Sequence, residues 1–233
     1  FNITNTNLLQ SASKTYAAVL VHQLIDAGKI SLDAKVESVL PDFKDSSMGA
    51  ATVQQVLDHT SGMPQLLDFH TPGALGQLWE IEIGLQGGKT KGHSVIITET
   101  KATKNPGEAW QYCDMNTDTL GLLAEKASGK KLVELLSDLF VTIGANHNGS
   151  IALTSDGTCS PSYGLSTSAR DYALFHQWIA QGKAPKSYYA SVTDVKKSKF
   201  SKTNPLANST FPGVEYGSQS YYIAENDVIY SSG

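Results

Sequence analysis

The distribution of its periodicities limits what this 233-residue chain can fold into more than any other feature: helical spacing fills the middle, and strand spacing is confined to the ends. From Ser11 onward, Ala17, Leu20, Val21, Leu24 and Ile25 recur at three- and four-residue steps, and Gly28 is placed to end that helix in a left-handed cap. Residues 52–59 predict a second helix, with Thr52 as cap, Val53, Val56 and Leu57 on one face, and Ser61-Gly62-Met63-Pro64 as the stop. Leu120, Leu122, Leu123, Ala124 and Ala127 give another from Asn116, closed by Ser128-Gly129. Residues 132–141 continue the pattern. So do residues 166–181, with Thr167 or Ser168 as cap and Ala173, Leu174, Trp178 and Ile179 turned inward. Strand signal is clear only over residues 216–230, where Tyr221, Ile223, Val228 and Tyr230 outline a hairpin turning at Glu225-Asn226-Asp227.

Strand edges need partners, and this strand content is too small to close a stable layer. The expectation is an α+β single domain over residues 1–233: a helical part at about 11–182 and sheet segments at about 1–9 and 214–233. Residues 1–9 are polar and read as a turn before the first helix. Residues 66–103 carry Gly73, Gly76, Gly84, Gly87, Gly88 and Gly92 and read as a mobile excursion with some helix. Val95-Ile96-Ile97 there fits a short strand or the buried part of a helix.

Composition narrows the function classes. Hydrophobic residues at 40% and charged residues at 17% are ordinary for a soluble globular protein. A net charge of −4 gives no broad basic character to track nucleic acid. The run Lys196-Lys197-Ser198-Lys199 with Lys202 reads as a solvated loop. Six histidines are scattered, with no H-E-x-x-H and no acidic–histidine cluster, so neither a metal nor an organic cofactor is expected. The two cysteines, Cys113 and Cys159, form no C-x-x-C, and sequence does not decide whether they pair. No apolar run approaches the length of a membrane-spanning helix. Glycosylation sequons begin at Asn2, Asn148 and Asn208 and count only in a eukaryotic secretory pathway.

Two stretches carry chemistry. In Ser11-Ala12-Ser13-Lys14 the serine and lysine stand about one turn apart on one helix face. The amine can then reach the hydroxyl, and a neutral lysine can take its proton while the oxygen attacks a carbonyl carbon. The helix start adds N–H donors near the developing oxyanion. Alone, the motif fits a capped helix with an exposed lysine better. In Tyr112-Cys113-Asp114-Met115-Asn116, between a Pro106-Gly107 turn and a helix, the tyrosine can act as base or relay if its pKa falls from about 10. A nearby Lys14 ammonium would favour that fall. Alone, this stretch fits a half-buried tyrosine closing a loop.

Taken in order, these stretches, the string Thr52-Val53-Gln54-Gln55-Val56-Leu57-Asp58-His59-Thr60-Ser61-Gly62-Met63-Pro64, Asn116-Thr117-Asp118-Thr119-Leu120-Gly121 and Tyr163-Gly164-Leu165-Ser166-Thr167-Ser168-Ala169-Arg170-Asp171-Tyr172-Ala173 form a set. The chain resembles the serine β-lactamase and penicillin-binding-protein superfamily over about residues 8–233. Within it the chain looks closest to the branch of class C-like esterases, D-amino-acid-releasing peptidases and 6-aminohexanoate-dimer hydrolases.

The resemblance implies a helical subdomain on an antiparallel sheet and a serine hydrolase working through an acyl-enzyme on an ester or amide. β-Lactamase or D,D-peptidase activity, and a non-catalytic penicillin-recognising or scaffold role, are the alternatives. Ser11 would be the nucleophile, Lys14 its proton acceptor and Tyr112 the base or relay. Asp114 falls where the family has an asparagine that binds substrate; it could pair with Lys14, repel an anionic substrate, or cap the next helix. His59, Thr60, Ser61 and Gly62, and the Arg170–Asp171 pair, read as structural, and Cys113 as packed. The family's third motif falls on Ser231-Ser232-Gly233, with Ser231 and Gly233 as substrate contacts and no cation at its first position. Carboxylate substrates would lose a partner there, so uncharged esters or amides are expected. The superfamily's terminal strands and second oxyanion donor would lie outside these residues, so the chain is expected to be part of a longer protein. A periplasmic or secreted location is slightly favoured over a cytoplasmic one, and the oligomeric state is not legible.

Overall fold

The computed structural model describes residues 2–64, 93–146, 149–154, 156–194 and 214–233. The described elements are β1 (Thr6–Leu8), a 3-10 turn (Gln10–Ser13), α1 (Lys14–Asp26), α2 (Val36–Val39), a second 3-10 turn (Pro41–Phe43), α3 (Val53–Leu57), α4 (His93–Glu99), α5 (Asp114–Ser128), α6 (Leu132–Ile143), β2 (Ser150–Ile151), β3 (Leu165–Ser168), α7 (Ala169–Ala180), α8 (Lys186–Val192), β4 (Val214–Gly217), β5 (Ser220–Ile223) and β6 (Val228–Tyr230).

Helix α1 organises the molecule. Nearly every residue from Lys14 to Leu24 is buried, so other elements enclose it: α5 and α6 on one part of its surface, α8 on another. Tyr16 stacks on Phe175 of α7, ring centroids 3.8 Å apart. The predicted stop holds. Gly28, at φ +69°, donates to Ile25 O, and Lys29 donates to Leu24 O, both at 2.9 Å, which satisfies two of the helix's last carbonyls. The second predicted helix, α3, starts as expected: Gln55 N donates to Thr52 Oγ1 at 3.2 Å and Thr52 N to Gln55 Oε1 at 2.9 Å, a reciprocal capping box.

Two antiparallel sheets, β1-β3-β2 and β4-β5-β6, flank the helices, in agreement with the expected α+β class. Several elements differ from the sequence reading. Residues 166–168 are strand, not helix; Leu8 pairs with Ser166 and Thr6 with Ser168, so β1 falls inside the sheet segment expected at about 1–9 and takes residues also read as a turn. Ser168 then caps α7, its side chain accepting from Asp171 N at 3.0 Å. Helix α5 begins at Asp114, two residues before the periodic pattern. Val95-Ile96-Ile97 is helical in α4, with Ile96 and Ile97 buried. Helix α8 was not anticipated. The glycines at 73–92, the basic run at 196–202 and the sequon asparagines at 148 and 208 lie outside the described residues.

The predicted hairpin is present as β5–β6, with Asp227 at φ +51° in its turn. A second hairpin, β4–β5, turns at Ser218 and Gln219, φ +47° and +60°, the left-handed pair that suits a two-residue hairpin. This tip is buried among helices. Gln219 Nε2 donates to Leu57 O at 2.9 Å, Thr117 Oγ1 donates to Gln219 Oε1 at 2.7 Å, and Thr15 Oγ1 donates to Gln219 O at 3.1 Å. The second sheet is thereby pinned to α1, α3 and α5, and its last strand runs back toward Ser11. Among the described residues no helix is long and apolar enough to cross a membrane.

Candidate active site

Ser11 lies in the 3-10 turn that feeds α1, after Gln10, which is held at φ +49°. Side chains three apart eclipse in a 3-10 turn, and Lys14 Nζ accordingly donates to Ser11 Oγ at 3.3 Å. The turn is fixed from both sides: Leu9 N donates to Leu165 O at 2.8 Å, and Leu165 N to Ser13 Oγ at 3.2 Å.

The Lys14 amine is buried and surrounded by acceptors. Beyond Ser11 it reaches Asp114 Oδ1 at 2.7 Å and the Ser162 carbonyl at 2.6 Å. Burial pushes the amine down, but the Asp114 carboxylate and Tyr112 outweigh it and hold the group above its ordinary pKa. Lys14 is therefore an ammonium at neutral pH, and it lies 4.9 Å from the centroid of the Tyr112 ring. Of the readings open for Asp114, pairing with Lys14 is the one observed.

The H-T-S-G string explains how Tyr112 gets there. His59 O accepts from Gln111 N at 2.8 Å and Thr60 O from Gly107 N at 2.7 Å. His59 Nδ1 accepts from Cys113 N at 3.2 Å. Burial lowers the pKa of this ring well below the ordinary histidine value, with the Lys14 charge adding to the effect, so the ring is neutral and its Nδ1 can accept. Ser61 Oγ donates to Asn116 Oδ1 at 2.6 Å. Gly62, at φ +84°, lies so close to the Lys104 carbonyl that a Cβ would stand 2.1 Å from its oxygen. The string is a clamp on residues 103–113, and its residues are structural as expected. Cys113 is buried and its thiol is pushed above the ordinary value by burial and the Asp114 charge, so it is packed. Arg170 Nη1 meets Asp171 Oδ1 at 3.3 Å at the start of α7.

The end of the chain reaches the same place. A Cβ on Gly233 would fall 2.1 Å from Leu9 O, 2.7 Å from Ala12 N and 3.0 Å from Ser11 N, so its backbone runs against the Ser11 turn. The Ser231 hydroxyl instead faces α7, 2.7 Å from the Tyr172 hydroxyl and 2.9 Å from His176 Nε2. Ser11, Lys14, Tyr112, Asp114 and Gly233 thus converge, while the Ser231 side chain anchors the strand.

The profile of the Beta-lactamase family matches residues 8–220. This chain belongs to the β-lactamase family. It is 28% identical over 180 residues to the 6-aminohexanoate-dimer hydrolase of Paenarthrobacter ureafaciens, covering 76% of this chain and 46% of that protein. It is 29% identical over 137 residues to esterase EstB of Burkholderia gladioli, covering 56% of this chain and 34% of that one. The chain thus spans less than half the length of these two relatives. A D-stereospecific amidohydrolase from Streptomyces sp. has the same fold, with a TM-score of 0.73 at 19% identity over 97% of this chain and 74% of that structure.

Two features of this β-lactamase-family site escaped the sequence reading. The Ser162 carbonyl is a backbone group, and no residue type announces it. The other is a row of aromatic rings beside Lys14. His59 to Tyr112 is 4.7 Å between centroids, Trp110 to Tyr216 5.6 Å, Tyr216 to Tyr221 4.8 Å and Tyr221 to Tyr230 5.0 Å. The tyrosine-rich run was legible as strands, and it is the cross-strand register, Tyr216 opposite Tyr221 and Tyr221 opposite Tyr230, that brings these rings together.

Proposed function

We propose that this β-lactamase-family chain is the catalytic part of a serine hydrolase that cleaves an uncharged ester or amide through an acyl-enzyme on Ser11. The carrying observation is the 3.3 Å contact between Ser11 Oγ and a buried, fully engaged Lys14 amine. Ser11 Oγ bonds to the carbonyl carbon as its proton passes to the Lys14–Tyr112–Asp114 group; that proton returns to the departing alcohol or amine as its bond to the carbonyl carbon breaks; water then attacks the acyl-enzyme and releases the acid, freeing Ser11 with its proton. The Ser11 hydroxyl accepts a hydrogen bond from an ammonium, which stabilises the oxygen as negative charge develops on it.

Two features support an uncharged substrate. The only cation beside Ser11 among the described residues is Lys14, and Asp114 at 2.7 Å balances its charge. The half-buried rings of Trp110, Tyr112, Tyr221 and Tyr230 offer an apolar wall to the acyl or leaving group. The names of the two relatives, an amide-dimer hydrolase and an esterase, point the same way.

Turnover of p-nitrophenyl esters by the full-length protein, with Ser11→Ala beside it, tests this. Continuous turnover that falls on the order of 10⁶-fold in the variant is expected. Kinetics with the chromogenic cephalosporin nitrocefin should show lower kcat/KM than with an uncharged ester. A single burst of one product per protein, followed by none, would instead identify a penicillin-recognising sensor.

A further inference from the structure

Lys14 Nζ meets Asp114 Oδ1 at 2.7 Å in an ion pair and donates to the Ser162 carbonyl at 2.6 Å and to Ser11 Oγ at 3.3 Å, with Tyr112 as a further neighbour. As an ammonium it donates to Ser11 and has no room for the proton that Ser11 must lose. It can accept that proton only by giving one up. Of its partners, a peptide carbonyl does not hold a proton near neutral pH and Ser11 is the source, which leaves the Tyr112 oxygen and the Asp114 carboxylate. The carboxylate is the one in ion-pair contact with the amine, 2.7 Å away, and it can take up a proton.

We propose that Asp114 is the proton store of this site, acting through Lys14. Resting on the reading that Ser11 is acylated, the step is a two-proton relay. As Ser11 Oγ bonds to the carbonyl carbon, its proton passes to Lys14 Nζ, and Lys14 passes the proton it shares with Asp114 to Oδ1. The amine ends as it began, an ammonium, and the carboxylate ends as a neutral acid. When the tetrahedral adduct collapses, the proton returns through Lys14 to the leaving oxygen or nitrogen as the C–O or C–N bond breaks. Deacylation repeats the cycle with water in place of Ser11.

The placement of Asp114 suits this role better than a structural one. A buried ion pair contributes little to stability once desolvation is counted, so stability does not explain a carboxylate linked to a nucleophile through one ion pair and one hydrogen bond. Asp114 is the first residue of α5. Its side chain is 12% exposed, against 2% for Lys14, so it lies at the mouth and the amine beneath. The titratable groups facing the pair are Tyr112 from the loop, Cys113 beside it, His59 after α3, Tyr216 of β4 and Tyr221 of β5. Asp118 lies one turn along α5, linked through Ser162, whose N–H donates to its Oδ1 at 3.3 Å. Cys113 and the two strand tyrosines are held protonated by burial and nearby negative charge, and His59 is held neutral chiefly by burial. Asp114 is thus the carboxylate in direct contact with the amine.

The test is the pH profile of kcat and kcat/KM for an uncharged p-nitrophenyl ester, measured on the full-length protein with Asp114→Asn and Asp114→Glu. In Asp114→Asn the relay has no store, and activity waits on the neutral fraction of Lys14. The acid limb should move to higher pH, kcat near pH 7 should fall on the order of 10²-fold, and the loss should shrink as pH rises. Asp114→Glu should return the limb toward its original position. An acid limb that stays, or moves to lower pH, would overturn the proposal in favour of Tyr112 as the base. A change in KM alone would overturn it in favour of a substrate contact. A proton inventory on acylation of the unmodified protein, in mixed light and heavy water, needs no variant to fold. Curvature from two protons in transit supports the relay, and a linear, one-proton dependence overturns it. Absence of Ser11-dependent turnover in the unmodified protein would defeat the hydrolase reading and the relay together; turnover with an unshifted Asp114→Asn profile would defeat the relay alone.

Discussion

Gly233 shows how closely the site is built at the residue scale. A side chain there meets Leu9 O at 2.1 Å and Ala12 N at 2.7 Å, both backbone atoms of the Ser11 turn that cannot swing away. Gly233→Ala must therefore displace either the strand end or the nucleophile. A displacement of about 1 Å in such a site can cost on the order of 10²-fold in rate. Ester kinetics should show that loss chiefly in kcat, and a rate like the unmodified protein's would mean the close approach is irrelevant to catalysis. The sequence made Ser11, Lys14, Tyr112, Asp114 and Gly233 visible because each belongs to a short motif of chemically telling residue types. It did not reveal that Lys14 is saturated with acceptors, because one acceptor is a carbonyl 148 positions away. Nor did it reveal that the Ser231 hydroxyl turns to Tyr172 and His176, which depends on which face of β6 meets α7.

Among the elements, helices were legible and short strands were not. The spacing in α1, α5 and α6 persists over three or more turns, enough to define a face. Strands β1, β2 and β3 have three, two and four residues; β1 is exposed along its length, so no alternation marks it. Ser166-Thr167-Ser168 fits a helix start as well as a strand, and the pairing with β1 decides. Two predictions belong here. Ser168→Ala removes the α7 cap and should destabilise the protein by about 1 kcal/mol in urea unfolding, with ester kinetics unchanged. Gly62→Ala places a side chain at φ +84° and 2.1 Å from Lys104 O, in the clamp that carries Tyr112. It should lower both the urea midpoint and kcat; a change in stability without one in kcat would separate the clamp from Tyr112.

Across the whole molecule, the same buried polar contacts that join sheet to helices set its acid sensitivity. His22 on α1 faces Ser187 of α8 at 2.9 Å and Ser218 of the β4–β5 turn at 3.0 Å. Burial lowers its pKa to about 4, with the Asp26 carboxylate opposing the shift. The folded state therefore keeps this ring neutral, while the unfolded chain takes up a proton below about 6.5. Its contribution is fully present above pH 6.5 and is lost as pH falls toward 4, about 3 kcal/mol in all. His59 and His176 are shifted in the same direction, mainly by burial. Melting temperature should fall steadily over that window, and His22→Gln should flatten the fall; an unchanged slope would show that His22 is not responsible.

The account as a whole turns on whether Ser11 is a nucleophile. The direct measurement is intact mass of the full-length protein before and after a fluorophosphonate probe, with Ser11→Ala treated alongside. One adduct on the unmodified protein, mapped to Ser11 and missing from the variant, is the predicted result. No adduct on the unmodified protein, or one that persists in Ser11→Ala, would contradict the account.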